Sequence, residues 1–321
     1  MNPLPHPLPL RTDGATLGLR RLVVPTSVGE VVVHAGRERS LGETRGPATI
    51  LLHGAAGSWT TWTPLVAASD LSPAPLTDVI AIDLPGWGHS VDGDRVRTVG
   101  DVSDAVAQVA RALGYSSWRV VGHSLGGFIA LDVAARHRDA TLGVTLVSAT
   151  GTGVIDAVRR PLRGGIALPW FAGMLLALRI LAAFGQAGTA LVRVLDRLGW
   201  LPALSSPLFS GPVHPSVIAA LAGEVRPGAF ARAARLAAEY EVRTWTGIAC
   251  PVRSVRGVRD VFAGETDAAA LVALVPDFAE VRLRDAGHFA HIERPDAVLE
   301  AIGATARIRL GVTGRRRAIP R

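Results

Sequence analysis

Short apolar runs alternate along this chain with longer stretches whose apolar residues recur at helical spacing. Trp118-Arg119-Val120-Val121 and Ile50-Leu51-Leu52 read as short buried strands, and Cys250–Gly257 is a third β-rich run that ends at glycine. Ala279-Glu280-Val281-Arg282-Leu283 alternates apolar and polar positions, the pattern of a strand with one wet face. Phe128–Ala135 instead carries an apolar stripe at helical period. Strand-like and helix-like segments follow each other in turn. That order predicts an α/β fold, a mostly parallel sheet covered by helices on both faces.

Between strand 118–121 and helix 128–135 lies Gly122-His123-Ser124-Leu125-Gly126-Gly127, a G-x-S-x-G sequence. A serine there sits on a sharp strand-to-helix turn. Gly122 and Gly126 flank it because side chains at those positions would strike neighbouring backbone. The turn opens a helix, so its backbone N–H groups point outward and can receive an oxyanion. A free hydroxyl is a poor nucleophile; it needs a general base, normally histidine, and a carboxylate to orient that base. Two later segments offer them. Asp260 follows shortly after Gly257, and His288 lies in Asp285–Pro295, just past the end of the 279–283 strand.

Five segments together resemble the α/β-hydrolase fold family. They are Ile50–Ser58 with its His53-Gly54 loop, Val79–Ser90 with D-x-P-G-x-G-x-S beginning at Asp83, Gly122–Gly127, Gly257–Asp260 and Gly287–Pro295. They occur in the family's order, serine before acid before histidine, and cover the chain from Leu19 to Leu310 apart from one long central segment. The resemblance implies Ser124 as nucleophile, His288 as the base that later protonates the leaving group, and Asp260 as the residue that fixes the imidazole tautomer. It also implies an oxyanion hole from the backbone N–H groups of Ala55 and Leu125, each such donor being worth roughly 3–4 kcal/mol in the transition state. His53, Gly54, Gly122, His123, Gly126 and Trp59 are the expected supporting and pocket residues; for Trp59, helix packing is the first reading and a substrate-pocket wall the alternative.

Rivals exist for two roles. His291 could be the base, although the Gly287-His288 match favours His288; otherwise His291 is a loop histidine bonded to Glu293 or Arg294. Asp267 and Asp285 compete with Asp260, but Asp285 is too close in sequence to His288, and Thr266-Asp267 before an alanine-rich run looks like a helix cap. Some relatives carry the acid after the preceding strand, here 144–148, yet Ala149-Thr150-Gly151-Thr152 offers no carboxylate. His53, His89 and Asp83 are expected to tie loops, and His123 to pack or hydrogen-bond locally.

The unmatched segment, residues 151–246, falls between the sixth and seventh core strands, where this family often carries a helical cap. Phe171–Phe184 is strongly apolar, Leu191–Leu198 is amphipathic, and Gly228–Tyr240 has helical spacing. Pro169 and Arg179 interrupt the apolar run, so a cap lining an apolar pocket is expected over a membrane span, with weak contact to a membrane surface as a further possibility. The remaining divisions are a disordered leader over 1–18, a core over 19–150 and 247–310, and a basic tail over 311–321.

Composition changes the picture little. Net charge is +7, every basic residue is arginine, and the arginines are spread rather than clustered among aromatics, which argues against nucleic acid. The single cysteine, Cys250, excludes an internal disulfide and reads as a buried small residue. No secretory signal is evident at the start, so a cytoplasmic location, peripheral to a membrane at most, is expected. Neither metal-ligand spacing nor a dinucleotide fingerprint occurs, and no cofactor is expected. Relatives with haloalkane or epoxide chemistry use aspartate at the elbow, so Ser124 argues against both, and the G-G-G-P-G of many carbon–carbon hydrolases is absent after His53. The expected activity is hydrolysis of an apolar carboxylic ester, thioester or lactone through an acyl-enzyme. Carbon–carbon cleavage, perhydrolysis and acyl transfer stay open on the same residues, as does a non-catalytic binding or membrane-associated role. Oligomeric state is not legible.

Overall fold

Along the central strands, successive side chains leave for opposite faces of a sheet, and both faces are buried. The computed structural model describes residues 7–39, 46–90 and 93–312. Its strands are β1 (Leu19–Thr26), β2 (Gly29–Gly36), β3 (Ala48–Leu52), β4 (Val79–Ile82), β5 (Trp118–His123), β6 (Thr141–Val147), β7 (Val252–Gly257) and β8 (Phe278–Leu283). They form one eight-stranded sheet in the order β1-β2-β4-β3-β5-β6-β7-β8. The β1–β2 hairpin is antiparallel, β2 runs antiparallel to β4, and all other neighbours are parallel.

Three helices follow the early strands: α1 (Thr63–Ser69), α2 (Val99–Ala112) and α3 (Leu125–Arg136). Seven more, α4 (Thr152–Arg159), α5 (Pro161–Ala167), α6 (Pro169–Ala183), α7 (Gln186–Arg197), α8 (Leu201–Ser205), α9 (Pro215–Gly223) and α10 (Pro227–Glu239), stand between β6 and β7. The chain then adds α11 (Glu265–Leu274), α12 (Ala290–Glu293) and α13 (Pro295–Val312).

Period-two alternation sorts the core. Ile50, Leu52, Ile80, Ile82, Val120, Val144 and Leu146 share one cluster with the apolar faces of α2 and α3. Leu51, Val79, Ala81, Val121, Val147 and Val255 share the other with α1 and α13. Near-continuous apolar runs in the central strands are the consequence, since a parallel strand covered on both sides leaves few positions for a polar residue; those present, such as Thr145 and Ser254, are buried. The edge strand β8 is the contrast: it keeps mostly exposed positions.

One expectation about the chain's first part is corrected. Residues 1–6 lie outside the described residues, but residues 7–18 are not a disordered leader. Leu10 is buried against Val217 and Phe289, its N–H donates to Ser216 Oγ at 2.9 Å, and Arg11 N–H reaches Thr63 Oγ1 at 2.9 Å. Gly14–Leu17 forms a short 3-10 turn with Leu17 in the core. The physical reason is burial: Leu10 and Leu17 are held against apolar neighbours, and backbone donors find hydroxyl acceptors. Of the basic tail, residues 313–321 lie outside the described residues, while 311 and 312 continue α13. Among the described residues no helix is long and apolar enough to cross a membrane.

Candidate active site

Ser124 caps α3 at the tip of β5 with φ 51° and ψ −117°, a left-handed backbone that a non-glycine residue adopts only under constraint. The constraint is visible. Ser124 N–H donates to Val147 O at 3.0 Å, and Ser124 O accepts from Gly127 N (3.0 Å), Phe128 N (3.2 Å) and Thr150 N (3.1 Å). The elbow also lies directly on the end of β3. A Cβ on Gly126 would sit 2.1 Å from Leu52 O, and one on Gly122 would sit 2.3 Å from Gly126 O. Leu125 opens α3, so its N–H has no acceptor within the helix.

The carboxylate of Asp260 and the imidazole of His288 come from adjacent loops. Gly257 ends β7, and a Cβ there would stand 2.1 Å from Ala286 O, so the β7 end and the histidine loop touch through backbone alone. That approach brings Asp260 within 2.9 Å of His288 Nδ1. Asp260 Oδ1 also accepts from Phe262 N (2.9 Å) and Ala263 N (3.3 Å). Burial pushes the Asp260 carboxyl up, but the facing His288 and these hydrogen bonds outweigh it and hold the group below its ordinary value. An ionised Asp260 accepts Nδ1–H, which leaves Nε2 of the neutral imidazole as a proton acceptor.

His288 is fixed from several sides. Its N–H donates to Leu208 O at 2.7 Å, and its carbonyl accepts from His123 Nε2 at 2.9 Å. His123 therefore bonds across the chain, and the expected local partner is replaced by one 165 residues away. Phe262 meets the His288 ring edge-on at 4.7 Å. Glu293 clamps the same loop to the inserted helices: Oε2 accepts from Gly287 N (2.8 Å), and Oε1 from Ser210 N (2.6 Å) and Ser210 Oγ (2.8 Å). The sequence offered no sign of this role, because Ser210 is remote along the chain.

The rival residues are occupied elsewhere. His291 is fully buried on Trp62 and His123, ring centroids 4.5 Å away in each case, and neither ring nitrogen has a partner among the described residues. It does not bond Glu293 or Arg294, because those side chains turn to Ser210, Gly287, Asp285 and Asp296. Burial, with a smaller push from His288, lowers His291 to about 3. Asp285 forms a bidentate pair with Arg294 (2.8 and 2.7 Å). Asp267 binds the start of α4, accepting from Gly153 N at 2.7 Å and Thr152 Oγ1 at 3.2 Å, and it closes its own helix through Gly264 N at 3.1 Å.

His53 donates from Nδ1 to Gly54 O (2.8 Å) and accepts from Leu84 N at Nε2 (3.0 Å), tying the loop after β3 to the loop after β4. Asp83 strengthens that tie by accepting from Trp59 N (2.8 Å) and His89 N (2.9 Å). Gly54 packs on the elbow, where a Cβ would fall 2.7 Å from His123 Nδ1. Trp59 takes the packing role and not that of a pocket wall: its ring stacks on His34 at 3.7 Å inside the core, and it is absent from the lining of the cavity at Ser124.

Ser124, His288, Ala55 and Leu125 line one cavity of about 700 Å³. The facing wall comes from the inserted helices, with Val154, Phe171, Met174, Leu178, Val192, Leu221 and Phe230 among its residues. Among the described residues no aspartate, glutamate or arginine lines this space; its polar side chains are chiefly Ser124, Thr150, Ser205 and His288.

Comparison with known proteins agrees with this fold. The model of the alpha/beta hydrolase family matches residues 49–301, most of the chain. The chain belongs to that family. Epoxide hydrolase 3 of Xenopus tropicalis is 33% identical over 114 residues, 34% of this chain and 29% of that protein. The 2-succinyl-6-hydroxy-2,4-cyclohexadiene-1-carboxylate synthase of Serratia proteamaculans is 32% identical over 122 residues, 38% of this chain and 46% of its own length. The chain thus matches less than half the length of these curated relatives. Among solved structures, a bacterial membrane phospholipase A aligns with a TM-score of 0.64 at 21% identity, covering 94% of this chain and 89% of that one. A thermophilic esterase from Thermogutta terrifontis aligns at 0.60 and 21%, covering 90% and 98%. At these identities the structural matches speak for the fold.

Proposed function

We propose that this α/β-hydrolase family member is a serine hydrolase that cleaves an apolar carboxylic ester through an acyl-enzyme. One observation carries the reading: Ser124 and a carboxylate-bonded His288 open into the same cavity of about 700 Å³, whose lining holds no charged carboxylate or guanidinium. Cavities of this size take small organic molecules, and apolar walls select apolar parts of them.

In the proposed reaction Ser124 Oγ attacks the ester carbonyl carbon and its proton passes to His288 Nε2. Asp260 stabilises the imidazolium without taking the proton. The N–H groups of Ala55 and Leu125 receive the oxyanion, where preorganised donors act most strongly on developing charge. Collapse of the tetrahedral intermediate breaks the ester C–O bond, and His288 protonates the departing alcohol. Water then repeats the sequence on the acyl-enzyme and releases the acid. The inserted helices act as the cap, excluding water and binding the apolar acyl part.

A series of p-nitrophenyl esters of increasing acyl length tests this on the wild type and Ser124→Ala together. Each buried methylene is worth about 0.8 kcal/mol, so kcat/KM should climb roughly fourfold per methylene until the cavity is filled. Ser124→Ala should hydrolyse none of the series. Retained turnover in that variant, or preference for short charged acids, would contradict the reading.

A further inference from the structure

The inserted helices carry more apolar surface than the cavity uses. On α5, Leu162 and Ile166 are 89% and 86% exposed, one turn apart. On α6, Leu176, Ile180 and Phe184, the last just past the helix end, form an exposed i, i+4, i+8 stripe. On α7 and beyond it, Leu191, Val194 and Leu198 repeat the pattern at i, i+3, i+7. These helices are consecutive neighbours, α5 packing on α6 and α6 on α7. A helix apolar all round belongs in a core or against lipid; an isolated exposed leucine would need no explanation, but three stripes on adjoining helices do.

Charge points to what covers them. Across α5–α7, residues 161–197, the sequence has four arginines and a single acidic residue, Asp196. Arg163, Arg179 and Arg193 are exposed and interleave with the apolar stripes, and none has a carboxylate partner among the described residues. Apolar stripes flanked by unpaired guanidinium groups are complementary to an anionic lipid surface, whose headgroups take the cations while the acyl boundary takes the leucines. The cavity reaches the surface of the insertion: Trp170 on α6 and Leu204 on α8 line it and are also 47% and 52% exposed.

We infer that helices α5–α7 seat this protein on an anionic bilayer surface, with the cavity mouth at Trp170 and Leu204 turned towards the lipid. No described helix is long and apolar enough to span, so the association inferred is interfacial. Seating rests on the surface alone. Its consequence, that acyl substrates enter from the bilayer without crossing water, rests in addition on the hydrolase reading.

The test uses the full chain carrying Ser124→Ala, so that vesicles are not consumed, in co-sedimentation with phosphatidylcholine vesicles with and without phosphatidylglycerol. The protein should sediment with the mixed vesicles, bind phosphatidylcholine alone more weakly, and lose binding as salt rises. Adding Leu162→Glu, Ile166→Glu and Phe184→Glu should cut partitioning about tenfold or more. In the chain with Ser124 intact, the same three changes should leave the melting temperature and hydrolysis of a short soluble ester unchanged, since none of them lines the cavity. Failure to bind mixed vesicles, or equal binding by the glutamate variant, would overturn the inference. So would a concentration-dependent dimer that the three glutamates dissolve, because the face would then belong to a second copy. Hydrolysis of the soluble ester is read separately, so loss of the catalytic reading and loss of the seating cannot be confused.

Discussion

The elbow and histidine loop differ from the outer helices of the insertion in what determines their structure. Around Ser124 and His288, backbone touches backbone, and each loop is held by bonds to strands and loops distant in sequence. A side chain on Gly126 or Gly257 would collide with a carbonyl, so position there is determined to a fraction of an ångström. On α5–α7 the contacts are apolar and one-sided, and large side chains stand in solvent. In the proposed reaction the first region fixes where bonds are made and broken, and the second selects what approaches, through area and charge, which many sequences can supply.

The comparison breaks most visibly at Asp260. Asp260→Asn keeps the shape of the loop but presents an amide to His288 Nδ1, favouring the wrong tautomer. Ester turnover should fall by about 10⁴-fold at neutral pH, with little change in KM. A fall of less than tenfold would mean that the core does not govern the chemistry.

Next in size is the close approach beneath the elbow. Gly126→Ala must displace Leu52 O, which would lie 2.1 Å from the new Cβ. A loss of about 3 kcal/mol or more of unfolding free energy is expected, measured by denaturant titration. An equivalent change on the insertion, at Gly173 where a Cβ meets nothing within 4 Å, supplies the control and should be nearly neutral.

Titration of the buried histidines gives an intermediate effect. His291 has a folded value of about 3, below its ordinary 6.5, so between those values the unfolded chain binds more protons than the native one. Stability should therefore rise with pH from about 3 to 6.5 and level off above. His34, lowered to about 4 chiefly by burial, acts in the same direction. His291→Leu should flatten the slope in urea unfolding measured across that window, since both ring nitrogens lack partners and nothing polar is orphaned by their removal. An unchanged slope would place the titration elsewhere.

The smallest effect belongs to the insertion. Ala177 lines the cavity on α6, and Ala177→Trp should shift the preferred acyl length downwards while changing turnover of an acetate ester only a few-fold. Loss of acetate turnover would blur the division between the two regions.

Much of this arrangement was legible in the sequence because close packing leaves residue-type marks. Gly122, Gly126 and Gly257 are glycines for steric reasons, and a serine, an acid and a histidine at strand ends are what the chemistry requires. Apolar strands gave away a sheet covered on both sides. Other features left no local mark. His123 bonds to the His288 carbonyl, Glu293 to Ser210, and Asp267 to the start of α4, each across a long stretch of chain. Leu10 looked like part of a loose end because its burial depends on Val217 and Phe289. The strongly apolar α6 announced a lining helix, but periodicity could not tell that its opposite face is left in solvent, because apolar residues occupy both sides.

Activation of Ser124 by its neighbours is the central claim, and an active-site-directed fluorophosphonate followed by intact-mass spectrometry tests it most directly. The wild type should gain one adduct and Ser124→Ala none. An adduct that persists in Ser124→Ala, or its absence from the wild type, would contradict the claim.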